Sequence, residues 1–216
     1  MFTETTDRPA GRLARAASFL SHPLPIDAFV QLVDPLWSST SLRGRVVSVV
    51  AESARAVTLV IKPGRGWDGH QPGQWIALGV EIDGVRHTRC YSLTSVPRRA
   101  DGCISVTVQA IPDGLVSNHI VRSLRPGTMV HLAQAAGDFT LPATRSRDLL
   151  FVTGGSGLTP VMGMLRTLHR AGTVGDVVVL HHAPSRAEAL FATELDRLTE
   201  ECPGLRVHFT ATGAGA

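Results

Sequence analysis

The chain has little that could hold it together except packing. Its three cysteines, Cys90, Cys103 and Cys202, are too few for a disulfide framework, and none stand at C-x-x-C spacing. The four-cysteine pattern that grips an iron–sulfur cluster is missing. His119, His131, His169, His181 and His182 do not form a metal set either, so no metal centre is expected. Lysine is almost absent: Lys62 is the only one, and arginine supplies nearly all the positive charge. Aromatic residues make up 5% of the chain and Tyr91 is its only tyrosine, which leaves few platforms for stacking bases. The net charge is +3, but the arginines are scattered, so nucleic-acid binding is not expected. Long apolar runs are also lacking. The uncharged stretch 149–165 is broken by Gly154, Gly155, Gly157 and Pro160, and the first residues carry too short an apolar segment for a secretory signal. The expectation is a cytoplasmic protein with no transmembrane segment.

What is present is ample core material: 44% of 216 residues are hydrophobic, enough for one large or two compact domains. Short helical periodicity at Arg12–Leu20 and Ile26–Leu36, broken by prolines, reads as a helical leader over 1–40. From 41 to 143 the grammar is that of strands. Gly44–Val50 and Ala56–Ile61 are rich in β-branched residues, and Gln74–Ile82 and Val85–Thr94 flank a hairpin turn at Asp83-Gly84. Cys103–Ala110 and Met129–Ala133 follow, with one short helix at Leu115–Leu124 between them. About six such strands predict an antiparallel Greek-key β-barrel. From 147 to 216, buried strands at Leu149–Thr153, Val177–Leu180 and Leu205–Thr210 alternate with helices at Thr159–Ala171 and Ala187–Glu200. That order predicts a parallel doubly wound α/β domain, which with three strands looks incomplete.

Three segments carry chemistry. Gly154-Gly155-Ser156-Gly157-Leu158-Thr159-Pro160 joins a buried strand to a helix. Glycines there let an anion approach the backbone N–H groups of the first helical turn, although close strand–helix packing would also call for glycine. The spacing is G-x-G-x-x-P, not G-x-G-x-x-G, and no Walker lysine is present. In Arg89-Cys90-Tyr91-Ser92, strand alternation puts Arg89 and Tyr91 on one face, a phosphate clamp beside a ring that can stack on a flat ligand. From those residues alone, a surface arginine next to a packed tyrosine is the favoured reading. Gly114-Leu115-Val116-Ser117 opens the short helix, where N–H groups and the Ser117 hydroxyl suit a second phosphate or an ordinary helix start.

Together and in this order, the segments resemble the ferredoxin–NADP reductase superfamily of flavoproteins. Arg89-Cys90-Tyr91-Ser92 is similar to its R-x-Y-[ST] flavin motif, Gly114–Ser117 to its G-x-x-[ST] phosphate motif, and Gly154–Pro160 to its nucleotide motif, with Pro72-Gly73-Gln74 and Gly137-Asp138-Phe139 as weaker landmarks. The resemblance implies an FAD barrel followed by an NAD(P)H domain, with electrons passing to a separate one-electron acceptor or to a C-terminal ferredoxin module. It looks closest to bacterial reductases serving oxygenases or acyl desaturases. By position it implies that Arg89 holds a flavin phosphate, Tyr91 stacks on the isoalloxazine and Ser92 bonds near its N5. Gly114, Leu115, Val116 and Ser117 would cradle the pyrophosphate, and Gly155, Gly157 and Thr159 would receive the nicotinamide nucleotide. Ser185 and Arg186 stand where the family reads the adenosine ribose, which favours NADPH over NADH. The family's later Cys-Gly-Pro-like strand is not in this sequence, and the rival expectation is a non-catalytic flavin-binding module.

Overall fold

The computed structural model describes residues 36, 41–142 and 148–213. The leader expected over 1–40 lies outside these residues apart from Leu36, as does the expected boundary at 143–147.

Six antiparallel strands come first: β1 (Arg43–Ser53), β2 (Ala56–Pro63), β3 (Trp75–Ile82), β4 (Val85–Ser92), β5 (Ile104–Gln109) and β6 (Met129–Leu132). Their order in the sheet is β4-β3-β6-β1-β2-β5, so β6 returns across the motif to lie between β3 and β1, as in a Greek key. The two edge strands meet just past β4, where Leu93 bridges Val106 and the Thr94 N–H donates to the Ser105 carbonyl at 2.8 Å. That contact curls the sheet into a barrel. Alternation fills it: Leu59 and Ile61 of β2, Ile76 and Leu78 of β3 and Val106 of β5 are fully buried. The hairpin at Asp83-Gly84 has positive φ at both residues (52° and 77°), as its sequence predicts. Helix α1 (Leu115–Ser123) packs on β3, β4 and β5 and drives Val116 and Ile120 into the barrel core.

The second sheet is parallel, in the order β7 (Asp148–Gly154), β8 (Asp176–Ala183), β9 (Leu205–Ala211). Helix α2 (Leu158–Arg170) joins β7 to β8, and α3 (Ala192–Glu201) joins β8 to β9. Both crossovers step the same way across the sheet. Both helices therefore lie on one face, as right-handed connections require. There Val161, Met162 and Leu165 of α2 and Leu195 and Leu198 of α3 pack with Phe151, Val177, Val179 and Leu205. Ala56, at the start of the barrel's β2, joins the same cluster. On the opposite face Leu150 and Val152 are 65% and 66% exposed.

One element departs from its sequence expectation. The helix expected over Ala187–Glu200 is a short 3₁₀ turn at Arg186–Glu188, a break, and then α3. Phe191 causes the break: it sits at φ +57°, in the left-handed region, while its ring is buried. The ring's burial there outweighs the cost of a backbone conformation that non-glycine residues avoid.

Candidate cofactor-binding site

The β3–β4 register pairs Arg89 with Leu78 and Tyr91 with Ile76. Directly opposed residues share a face, so Arg89 and Tyr91 both project from the inner face of an edge strand, which the barrel covers only in part. Cys90 and Ser92 lie on the other face, with Ala77 and Trp75. Tyr91 is half-buried and Arg89 exposed, its Nη1 donating to the Thr88 carbonyl at 2.8 Å. Burial pushes the Tyr91 phenol above its ordinary pKa, and the Arg89 charge pulls it back. A cation therefore stands near a half-buried aromatic side chain, and the arrangement suits a flat anionic ligand.

Helix α1 begins on Gly114 with neither a side-chain cap nor an acidic residue in its first turn. A Cβ on Gly114 would come within 2.5 Å of both Ile111 Cγ1 and Ser117 Oγ, so close approach fixes glycine there. The Ser117 hydroxyl donates to the Gly114 carbonyl and accepts the Ile111 N–H, each at 3.3 Å. Asn118, which the motif did not single out, donates to the carbonyls of Ile111 at 2.9 Å and Gly114 at 2.8 Å. Its only signal in the sequence is an amide side chain placed just after the glycine turn. A surface hollow of ≈ 420 Å³ lies alongside, lined in part by Asn118 and two cations, Arg55 and Arg122. Of the expected cradle, Leu115 is exposed while Val116 turns its side chain into the core.

At the end of β7, Gly155 takes a left-handed φ of +49°. Gly157, the residue before α2, has an ordinary helical φ of −61°, and α2 too starts with no side-chain cap and no acidic first-turn residue. A Cβ added to either glycine would meet nothing within 4 Å. Close strand–helix packing therefore does not explain why Gly157 is glycine, and neither does its backbone conformation. The turn thus leaves open space beside the 3₁₀ segment Gly155–Gly157 that leads into α2, whose first N–H, that of Leu158, already bonds to the Gly155 and Ser156 carbonyls. Thr159 is buried, and its hydroxyl donates back to the Ser156 carbonyl at 2.8 Å, bracing the turn. Behind it Thr153 Oγ1 and His181 Nδ1 are 2.9 Å apart across β7 and β8. Burial holds the His181 imidazole below its ordinary pKa, with the neighbouring His182 acting in the same direction.

Ser185 precedes the 3₁₀ turn and accepts the Glu188 N–H on its carbonyl at 3.2 Å. Arg186 is engaged: its Nη2 donates to both oxygens of Asp196 at 2.5 and 2.6 Å. Both groups are more than half exposed, so the pair is weakly held and a phosphate can compete for the guanidinium.

The two weaker landmarks meet. Gln74 Nε2 donates to the Gly137 carbonyl at 3.2 Å, and the Trp75 ring lies against Gly137. Gly73, at φ +99°, leaves no space for a side chain between the Phe139 carbonyl and the Met164 methyl group of α2. These loops thus brace the barrel against the helix that carries the glycine-rich turn.

Residues 47–141 match the oxidoreductase FAD-binding domain, and residues 151–215 match the oxidoreductase NAD-binding domain. The chain belongs to the ferredoxin–NADP reductase superfamily. It is 44% identical over 205 residues to an NADPH oxidoreductase of Mycobacterium tuberculosis, covering 94% of this chain and 54% of that protein. It is 32% identical over 182 residues to a flavohemoprotein of Halalkalibacterium halodurans, covering 76% of this chain and 44% of the relative. The chain thus spans about half the length of these curated relatives. Among solved structures, the FAD/NAD-binding domain of a nitric oxide dioxygenase from Vibrio cholerae superposes with a TM-score of 0.73 at 28% identity, covering 82% of this chain and 76% of that one. As a member of this superfamily the chain joins an FAD-binding domain to an NAD-binding domain, and the open space at Gly155 and Gly157 lies in the second of these domains. Among the described residues no group of side chains could hold a metal ion, and no helix is long and apolar enough to cross a membrane.

Proposed function

We propose that the chain is an NAD(P)H-dependent flavin oxidoreductase, cytoplasmic, with its FAD domain at 41–143 and its nucleotide domain at 147–216. Electrons would pass from the nicotinamide nucleotide through FAD to a one-electron acceptor. That acceptor is an iron–sulfur, haem or diiron centre, on a separate protein or a ferredoxin module, as in an oxygenase or acyl desaturase system. The observation that carries the reading is Gly157: a glycine that neither the backbone nor the packing of this chain requires, placed beside open space in the turn that leads from β7 into α2.

When bound, the flavin supplies the chemistry, accepting a hydride from the nicotinamide and releasing electrons singly. The chain's residues bind and orient. Arg89 would neutralise a flavin phosphate and Tyr91 would offer its ring from one face of β4, while Ser92, on the other face at the strand's end, would present its hydroxyl to a ring nitrogen. With the Gly114 N–H bonded to the Ile111 carbonyl, the N–H groups of Leu115, Val116 and Ser117 would receive the flavin pyrophosphate, and those at Gly155 and Gly157 the pyrophosphate of the nucleotide. Thr159 shapes the nicotinamide end, while Ser185 and Arg186 read the adenosine ribose.

The test is optical. Purified protein reconstituted with FAD is expected to be yellow, and NADPH added without oxygen is expected to bleach the flavin band. A yellow protein whose band neither NADPH nor NADH alters would leave only a flavin-binding module.

A further inference from the structure

Arg166 lies two turns into α2, outside the motifs, and joins three other parts of the chain. Its Nε and Nη2 fork onto the Glu194 carboxylate at 2.8 and 2.5 Å, and its Nη1 donates to the Thr94 carbonyl at 2.6 Å. The guanidinium also stands 5.1 Å from the centre of the Phe191 ring. Thr94 is the second residue after Ser92, so this arginine grips the backbone that leaves the β4 motif while it rides on the helix that begins at the glycine turn. Two neighbours enforce the same register. A Cβ on Gly163 would lie 2.6 Å from the Leu93 carbonyl oxygen, and Arg170 Nη2 donates to the Pro97 carbonyl at 2.7 Å. Phe191 keeps its left-handed backbone with its ring stacked against this arginine.

We propose that Arg166 is the positioning residue that fixes the glycine-rich turn relative to the Arg89–Ser92 strand, through a three-way clamp of Thr94, Glu194 and Phe191. Its planar fork is needed because one group must meet a carboxylate, a carbonyl and a ring at once, which a lysine ammonium cannot do. The catalytic consequence rests on the function proposed above, whereas the clamp itself rests only on these contacts.

Arg166→Ala, Arg166→Lys and Glu194→Gln test it by two readouts. In hydrogen exchange, Arg166→Ala is expected to speed exchange at residues 93–98 and along α2 while leaving the β1–β6 pair unchanged. A merely destabilised fold would speed exchange everywhere. In steady-state reduction of a dye by NADPH, kcat is expected to fall about 10- to 100-fold with KM nearly constant, the cost of a small misalignment of bound partners. Arg166→Lys should recover only part of that loss. If Arg166→Ala does not fold, Glu194→Gln should show the same regional pattern more weakly. Unchanged exchange at 93–98, or uniform acceleration in Glu194→Gln, overturns the clamp. A wild-type chain that no nicotinamide reduces overturns the proposed function instead, and the exchange comparison still decides the clamp.

Discussion

Gly157 and Gly163 belong to one turn-and-helix segment and lack a side chain for opposite reasons. At Gly157 a methyl group would enter open space, and at Gly163 it would strike the Leu93 carbonyl. Gly157→Ala should therefore leave the denaturant midpoint nearly unchanged and weaken nucleotide binding, seen as a raised KM for NADPH. Gly163→Ala should do the reverse in stability, costing about 1–3 kcal/mol of unfolding free energy as the seam is forced apart. Arg186 makes a separate prediction. If it reads the ribose phosphate, wild type prefers NADPH, and Arg186→Ala brings kcat/KM for NADPH down towards that for NADH. Selectivity unchanged by the substitution would remove Arg186 from the site. The glycine pattern and the R-x-Y-S quartet were legible in the sequence because each compresses its chemistry into a few adjacent positions. Asn118 and Arg166 were not, since their roles depend on carbonyls that the fold delivers from elsewhere: Arg166 and Thr94 are separated by 72 positions.

The strands followed their β-branched composition, and most bounds shifted by only a residue or two. The β8–α3 connection did not. Its residues read as continuous helix because propensity sees Ala187–Glu200 as good helix formers, while the burial of the Phe191 ring, a tertiary effect, breaks the run. At the level of paired strands, the burial of His181 on β8 has a pH consequence that its contact with Thr153 only partly offsets. The folded state holds His181 below the ordinary value of 6.5, through burial, whereas the unfolded chain binds a proton near that value. The unfolded state is then the better proton binder, so stability is complete above pH 6.5 and erodes as pH falls, by up to about 1.4 kcal/mol per pH unit for one proton. Burial also lowers His70 and His131, which add to the slope. Urea midpoints should fall between about pH 7.5 and 5.5, and His181→Asn should flatten part of that fall.

Over the whole molecule, the two-part order of strands, then alternating strands and helices, was readable from the sequence because periodicity changes where the sheets change. How the parts dock was not, because the seam is built from Gly73, Gly163, Met164 and Arg166 meeting loops distant in sequence. The same economy of aromatics that made the composition unusual leaves a single phenol in all 216 residues, and it stands on the barrel edge proposed to meet the flavin. Its ultraviolet ionisation band is thus free of any background from other tyrosines. A titration should show one step above the ordinary 10, and it should move upward on Arg89→Ala, which removes the nearby positive charge. Ligand occupancy of the barrel edge becomes readable from an intrinsic chromophore, with no label attached.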